Sequence, residues 1–240
     1  MPRFFVENAG EEAVTLTGEN ARHAGRSLRM KAGESLTVVC GGEEYDCVIT
    51  GFSDSEVYCS VIDRHRCESE PLTRLTLFQA MPKGDKAEFI VQKAVELGVS
   101  EIVFVMTGRC VSRPDEKSFK KRRERLMKIS LEAAKQCGRG IVPEIRGIIS
   151  FDEMLENIKG FDKALMCYEK GGESLSAAGI NKGDRIALVI GSEGGFEQSE
   201  ADRFKAAGGT LTGLGRRILR CETAPLAAAS IIMSLAGEME

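Results

Sequence analysis

Two short stretches of the chain hold residue types suited to ligand chemistry. The apolar run IALVI (186–190) passes directly into GSEGGF (191–196), which puts several peptide units with little or no side chain at the end of a strand. Gly191, Gly194 and Gly195 tolerate positive φ and let a ligand approach backbone N–H and C=O groups, and Ser192 and Glu193 add a hydroxyl and a carboxylate. The spacing is neither GxGxxG nor GxxxxGK[ST], so no dinucleotide or P-loop chemistry follows from it, and a plain strand-to-helix turn would use the same glycines. The second stretch, GRRILRCETAP (215–225), gathers Arg216, Arg217, Arg220 and Glu222 around Ile218 and Leu219. A loop that only has to turn is polar and loose. This one reads either as a buried, ion-paired turn or as the wall of a site.

The elements that must position these stretches follow from hydrophobic periodicity. Up to residue 70 the pattern is short and strand-like: VVC (38–40), CVITGF (47–52) and VYCSVI (57–62), with Gly41-Gly42 as a hairpin signal. A small β-barrel or sandwich is expected, interrupted by one short helix over 19–30 with Ala21, Ala24 and Leu28 at helical spacing. After Glu70-Pro71 the period changes, which predicts two domains, 1–70 and 73–240. LTLFQAM (75–81), a helix from the capping-box-like pair Asp85/Glu88 to Gly98, and IVFVM (102–106) form a βαβ unit and hence a parallel sheet. A helix over 117–137, strands at 164–168, 186–190 and 210–214, and helices near 151–159, 197–207 and 223–236 complete an α/β domain.

Composition excludes several classes. With 42% hydrophobic and 29% charged residues the chain is an ordinary globular sequence, and no apolar run approaches the roughly 20 residues of a membrane span. The opening residues lack the pattern of a secretory signal, so a cytoplasmic location is expected. Eight cysteines without a CxxC pair, and only two histidines, give no metal-binding spacing; no metal is expected. The net charge of −3 hides a strong asymmetry, because residues 109–146 hold 12 basic against 5 acidic side chains. That stretch contains Arg109, Arg113, Arg122 and Arg123, and a second basic cluster falls at Arg22, Arg26 and Arg29. A charge run is usually a solvated face, but this concentration in an acidic chain makes a phosphate-rich partner the alternative.

HAGRSLR (23–29), PKGDKAEFIVQKAVELGV (82–99), EAAKQCGR (132–139), IGSEGGF (190–196) and LGRRILRCETA (214–224), in this order, resemble the bacterial small-subunit (16S) ribosomal RNA (uracil-N3) methyltransferases, the RsmE family of the SPOUT or trefoil-knot class. The resemblance covers nearly the whole chain. The family more often has proline where Ser192 stands and threonine where Cys221 stands. It implies a PUA-like β-barrel for RNA binding followed by a SPOUT domain with a knotted C-terminal chain. It further implies S-adenosylmethionine as cofactor, held by Cys167, Tyr168 and Glu169, by Gly191, Ser192, Glu193, Gly194 and Gly195, and by Leu214, Gly215, Arg217, Ile218, Leu219 and Arg220. Catalytic roles fall to Arg220, which favours the uracil anion, and to Glu193 or Glu222, which orient it or relay the proton. His23, Lys83, Lys86, Gln136 and Arg139 join the basic clusters as RNA contacts, ribosomal RNA or the small subunit is the partner, and a homodimer is expected. Two other readings remain: an RNA-binding or ribosome-assembly protein that keeps the fold without turnover, and a nucleotide-dependent transferase that uses GSEGG for phosphate.

Overall fold

In a computed structural model, which describes residues 1–239, the chain forms two units. The first comprises Met1–Glu70 together with Ala134–Ile141. Its strands β1 (Arg3–Phe5), β2 (Ala13–Leu16), β3 (Ser35–Cys40), β4 (Glu43–Phe52) and β5 (Val57–Arg66) form one sheet in the order β1-β3-β4-β5-β2. All pairs are antiparallel except β1 with β3. Alternation puts Phe4, Leu16, Leu36, Val38, Ile49 and Val57 into its core. Gly41 and Gly42, with φ of 60° and 87°, supply the two consecutive positive angles that a tight β3–β4 hairpin requires.

The single helix expected over 19–30 is instead a five-residue α1 (Gly18–Arg22) that widens into a π-turn at His23–Ser27. The Leu28 amide reaches back to the His23 carbonyl, five residues away. This extra residue in the turn rotates Leu28 off the buried face: Ala21 and Ala24 are buried, whereas Leu28 is 44% exposed.

Arg139, expected on the RNA side, is buried. Its side chain is only 4% exposed and its guanidinium meets Glu70 at 2.7 and 3.1 Å. The same carboxylate accepts the amides of Gly140 and Ile141 at 2.9 and 3.0 Å. A desolvated guanidinium bonded twice to one carboxylate gives Arg139 a structural role in this unit.

The second unit comprises Pro71–Ala133 and the chain from Val142 on. Strands β6 (Arg74–Ala80), β7 (Glu101–Met106), β8 (Glu144–Ser150), β9 (Lys163–Cys167), β10 (Glu173–Ser174), β11 (Arg185–Ile190) and β12 (Thr210–Gly213) form a wholly parallel sheet, ordered β10-β12-β9-β11-β6-β7-β8. Its helices are α2 (Lys86–Glu96), α3 (Glu116–Cys137, of which the residues from Ala134 on belong to the first unit), α4 (Phe151–Asn157), α5 (Gln198–Ala206) and α6 (Ala224–Leu235). The central strands are apolar without alternation because both faces are covered. Leu188 and Ile190 face a core shared with α2 and α6, while Ala187 and Val189 face one that holds Phe196 and Phe204.

Asp85 does not cap α2, since its backbone (φ −89°, ψ 10°) is not extended and its side chain takes no amide. Glu88, its expected partner, faces Arg122 at 3.1 Å instead. Reciprocal capping boxes occur at Ser150/Glu153 before α4 and at Glu197/Glu200 before α5.

If Arg139 holds the first unit together, Arg139→Ala leaves Glu70 buried and unpaired and costs about 3–5 kcal/mol. Chemical denaturation followed by tryptophan-free probes such as circular dichroism reads this as a lowered midpoint; a residue that served only RNA would leave the midpoint where it is.

Candidate functional site

Parallel pairing makes three strands of the second unit end side by side. Ile190 of β11 is opposite Cys167 of β9, which is opposite Thr212 of β12. The loops that follow them therefore emerge together, where open α/β sheets bind ligands. They enclose a cavity of about 600 Å³ lined by Cys167, Tyr168 and Glu169, by the whole 191–196 turn, and by Leu214 to Cys221. Every residue expected to bind cofactor lines it. The size falls within the usual range for small-molecule sites.

Each loop is tied down. The Tyr168 amide donates to the Thr212 carbonyl at 2.9 Å, and its hydroxyl meets Gln198 at 3.1 Å. Within the glycine turn, the Gly195 amide donates to the Ser192 carbonyl at 2.9 Å, with Gly195 at a φ of 66°. The positive φ makes this position one for glycine, and a Cβ there would push the Glu169 carboxylate, 2.6 Å away, aside. The carbonyl of Arg220 accepts the Thr223 and Ala224 amides at 2.9 Å and so anchors the third loop to the start of α6. The exposed Arg216, Arg217 and Arg220, and an Ile218 that is 84% exposed, project from this loop.

Beside the cavity lies a charged cluster that the sequence reading does not assemble. Lys86, expected on the RNA side, places its ammonium 2.7 Å from Glu193, 3.5 Å from Glu222 and 3.7 Å from the Cys221 sulfur. Burial pushes the Glu193 carboxyl up, but the Lys86 ammonium and the backbone amides of Glu193 and Lys83 outweigh it and hold the group down to about 2. For Glu222, burial is likewise outweighed, by its own backbone amide, the Cys221 thiol and Lys86, and its carboxyl is lowered. Lys86 is raised, chiefly by its bond to Glu193. Burial, reinforced by the two carboxylates, pushes the Cys221 thiol up to about 12, and burial alone does the same to Cys167. Neither Glu193 nor Glu222 forms an ion pair with Arg220 among the described residues; both serve Lys86.

Two further residues support the glycine turn. Gln79, fully buried at the end of β6, donates to the Gly191 carbonyl at 3.3 Å and to that of Ala80 at 3.0 Å. The one amide side chain in LTLFQAM was the available signal. Arg109, expected to contact RNA, lines the cavity and donates to the Gly194 carbonyl at 2.9 Å.

The other expected RNA contacts divide. Arg113 donates to the Thr107 and Gly108 carbonyls at 3.0 Å. Arg122 donates to Gly84 O at 2.5 Å and pairs with Glu88, and Arg123 donates to Ile145 O at 2.5 Å and pairs with Glu144. Lys83 is exposed and gives its backbone amide to Glu193 at 3.1 Å. Arg22, His23, Arg26, Arg29 and Gln136 are exposed on the first unit, and Arg26 and Arg29 make no ion pair among the described residues. Among the described residues no cluster of three or more His, Cys, Asp or Glu could hold a metal, and no helix is long and apolar enough to cross a membrane.

The sequence matches the RNA methyltransferase domain family over residues 68–233 and the RNA methyltransferase PUA domain family over 16–62. It is 37% identical to the ribosomal RNA small subunit methyltransferase E of Bacillus subtilis (strain 168), across 97% of this chain and 96% of the relative. The chain belongs to the ribosomal RNA small subunit methyltransferase E family. The family member of Mesomycoplasma hyopneumoniae (strain 232) is 30% identical over 94% of this chain and 96% of its own. The crystal structure of the Neisseria gonorrhoeae member, bound to S-adenosyl methionine, superposes with a TM-score of 0.88 at 31% identity, covering 98% of both chains. The five motifs read from the sequence thus identify the family correctly, and its α/β fold with a small N-terminal sheet is the one found here.

The Lys86 cluster sets a pH dependence. Because the Glu193 carboxyl is held at about 2 against an ordinary 4.5, its contribution to stability is complete above pH 4.5 and is lost as pH falls towards 2. Thermal melts across this window should show that loss. Lys86→Met, which removes the ammonium, should flatten it and bring the Glu193 carboxyl back towards its ordinary range in a carboxyl NMR titration.

Proposed function

We propose that this chain transfers a methyl group from S-adenosylmethionine to N3 of a specific uridine in small-subunit (16S) ribosomal RNA. The observation that carries the reading is the cavity at the flush ends of β9, β11 and β12, in a chain of this family. Its residues fit the cofactor. Leu214, Ile218 and Leu219 offer apolar walls for an adenine, and the side-chain-free edge of Gly191 to Gly195 admits a close-lying ribose and methionine part. Glu169 and Glu193, together with Arg109, Arg216, Arg217 and Arg220, put both signs of charge on the lining, which suits a ligand carrying both.

When bound, S-adenosylmethionine supplies a methyl group already activated on a sulfonium. The protein has to orient the acceptor in line and favour loss of the N3 proton. Arg220 suits the second task. It is exposed on the cavity wall, has no side-chain partner among the described residues, and can meet the uracil oxygens as negative charge spreads onto them. Glu193 does not suit proton storage, because a carboxyl held at about 2 stays ionised at neutral pH. Its part, and that of Glu222, is to hold Lys86 and with it the cavity's edge. The proton then leaves to solvent or to a group of the RNA.

The N-terminal unit, with Arg22, Arg26 and Arg29 exposed, is proposed to hold ribosomal RNA, and the chain to work in the cytoplasm. A homodimer is proposed through α6, whose Ile231 and Leu235 point outward while Ile232 and Met233 pack into the core.

The test is to incubate the protein and S-adenosylmethionine with small subunits and with naked ribosomal RNA lacking the modification, then map methylated nucleosides. N3-methyluridine at one position is expected. Arg220→Ala should lower turnover at saturating cofactor by about 10²–10³-fold. No new nucleoside with either substrate would favour the non-catalytic RNA-binding reading.

A further inference from the structure

We propose that Arg109 is a positioning residue for the cofactor cavity, a bracket that fixes the glycine turn against the loop after β9 before any ligand arrives. The proposal rests on the cofactor reading above and assigns it a residue from a fourth loop, the one that follows β7.

Arg109 grips the turn twice. Its guanidinium donates to the Gly194 carbonyl at 2.9 Å, and its own backbone carbonyl accepts the Ser192 hydroxyl at 3.3 Å. The same guanidinium nitrogen stands 3.7 Å from the Glu169 carboxylate, which belongs to the loop after β9. One side chain therefore spans two of the three cavity loops. The packing is close: a Cβ on Gly194 would lie 3.0 Å from the Arg109 Cβ, and one on Gly195 would lie 2.6 Å from the Glu169 carboxylate.

The bracket is itself mounted rigidly. Arg113 donates to the Thr107 and Gly108 carbonyls at 3.0 Å, closing the loop that carries Arg109. The Gly108 amide donates to Glu200 at 2.8 Å. Glu200 is buried and also accepts the Glu197 amide at 2.8 Å, so the loop after β7 and the start of α5 share one carboxylate. Since α5 follows the glycine turn, the turn is held from both of its ends.

Arg109 and Glu169 have side chains 43% and 28% exposed, and an ion pair so solvated adds little to global stability. A guanidinium fork is nevertheless well suited to fixing a carbonyl and a carboxylate at once. What such a bracket can supply is preorganisation, because loops already in place need not be ordered by the ligand.

Calorimetry with S-adenosylhomocysteine tests this on the full chain. Arg109→Ala should bind about tenfold more weakly, the scale of one hydrogen bond to a charged donor. The melting temperature without ligand should be unchanged, the KM for S-adenosylmethionine should rise, and kcat at saturating cofactor and affinity for RNA should hold. Arg109→Lys should recover part of the affinity. Glu169→Gln should weaken binding in the wild-type background and have less effect in Arg109→Ala. Wild-type cofactor affinity in Arg109→Ala would overturn the proposal, as would a loss confined to RNA binding. A wild-type chain that binds neither S-adenosylmethionine nor its product would overturn the cofactor reading and this proposal together.

Discussion

In a sheet that is parallel throughout and covered on both faces, the interior strands have no side chains to spare. Ile186, Ala187, Leu188, Val189 and Ile190 of β11 are all buried, each committed to one of two cores. Polar chemistry can then sit only where the strands stop. The register decides what meets there. With Gln79, Ile190, Cys167 and Thr212 in register across adjacent strands in the order β6-β11-β9-β12, the chain segments beyond them have to share one edge, although they lie far apart in sequence. A one-residue slip of β9 would turn Cys167 to the other face and carry Tyr168 and Glu169 away from the glycine turn.

At that edge the charges are paired in a way that keeps them fixed. Lys86 holds two carboxylates, and both stay ionised because the ammonium and nearby amides outweigh burial. Cys221 and Ser192 fit into this arrangement. The Cys221 thiol, pushed up to about 12, remains neutral, donates to Glu222 at 3.3 Å and accepts from Lys86 at 3.7 Å. Ser192 ties the glycine turn to the Arg109 carbonyl.

What the sequence makes legible is what depends on near neighbours. The βαβ periodicity, the apolar strands, the Gly41-Gly42 hairpin and the glycine turn all express local rules. Two of the three stretches that wall the cavity stand out for their composition; the third, Cys167 to Glu169, follows only from the resemblance. The edge strand β8 does not read as a strand because Arg146 and Gly147 break its pattern and it is buried at few positions. The π-turn at His23–Ser27 defeats helical spacing by one residue. Asp85 has the type but not the backbone angle of a cap. Above all, partners distant in sequence are invisible to spacing. Nothing local announces that Lys86 meets Glu193 and Glu222, that Arg139 meets Glu70, or that Arg109 meets Gly194 and Glu169.

The basic stretch 109–146 shows how far such partners change a conclusion drawn from charge. Twelve cations counted along the chain suggest a broad landing surface for a polyanion. Folded, the arginines are largely engaged: Arg109, Arg113, Arg122 and Arg123 donate to backbone carbonyls, Arg139 is buried on Glu70, and Arg146 pairs with Glu101 at 3.3 Å. Lys117, Lys120, Lys121 and Lys128 remain exposed with no ion pair among the described residues. The division follows from the two side chains. A planar fork of five donors matches carbonyls and carboxylates held in fixed positions, whereas a hydrated point charge on a flexible stem follows a phosphate wherever it lies. The free positive charge of this stretch therefore lies on these lysines of α3, while its arginines are largely spent on the fold.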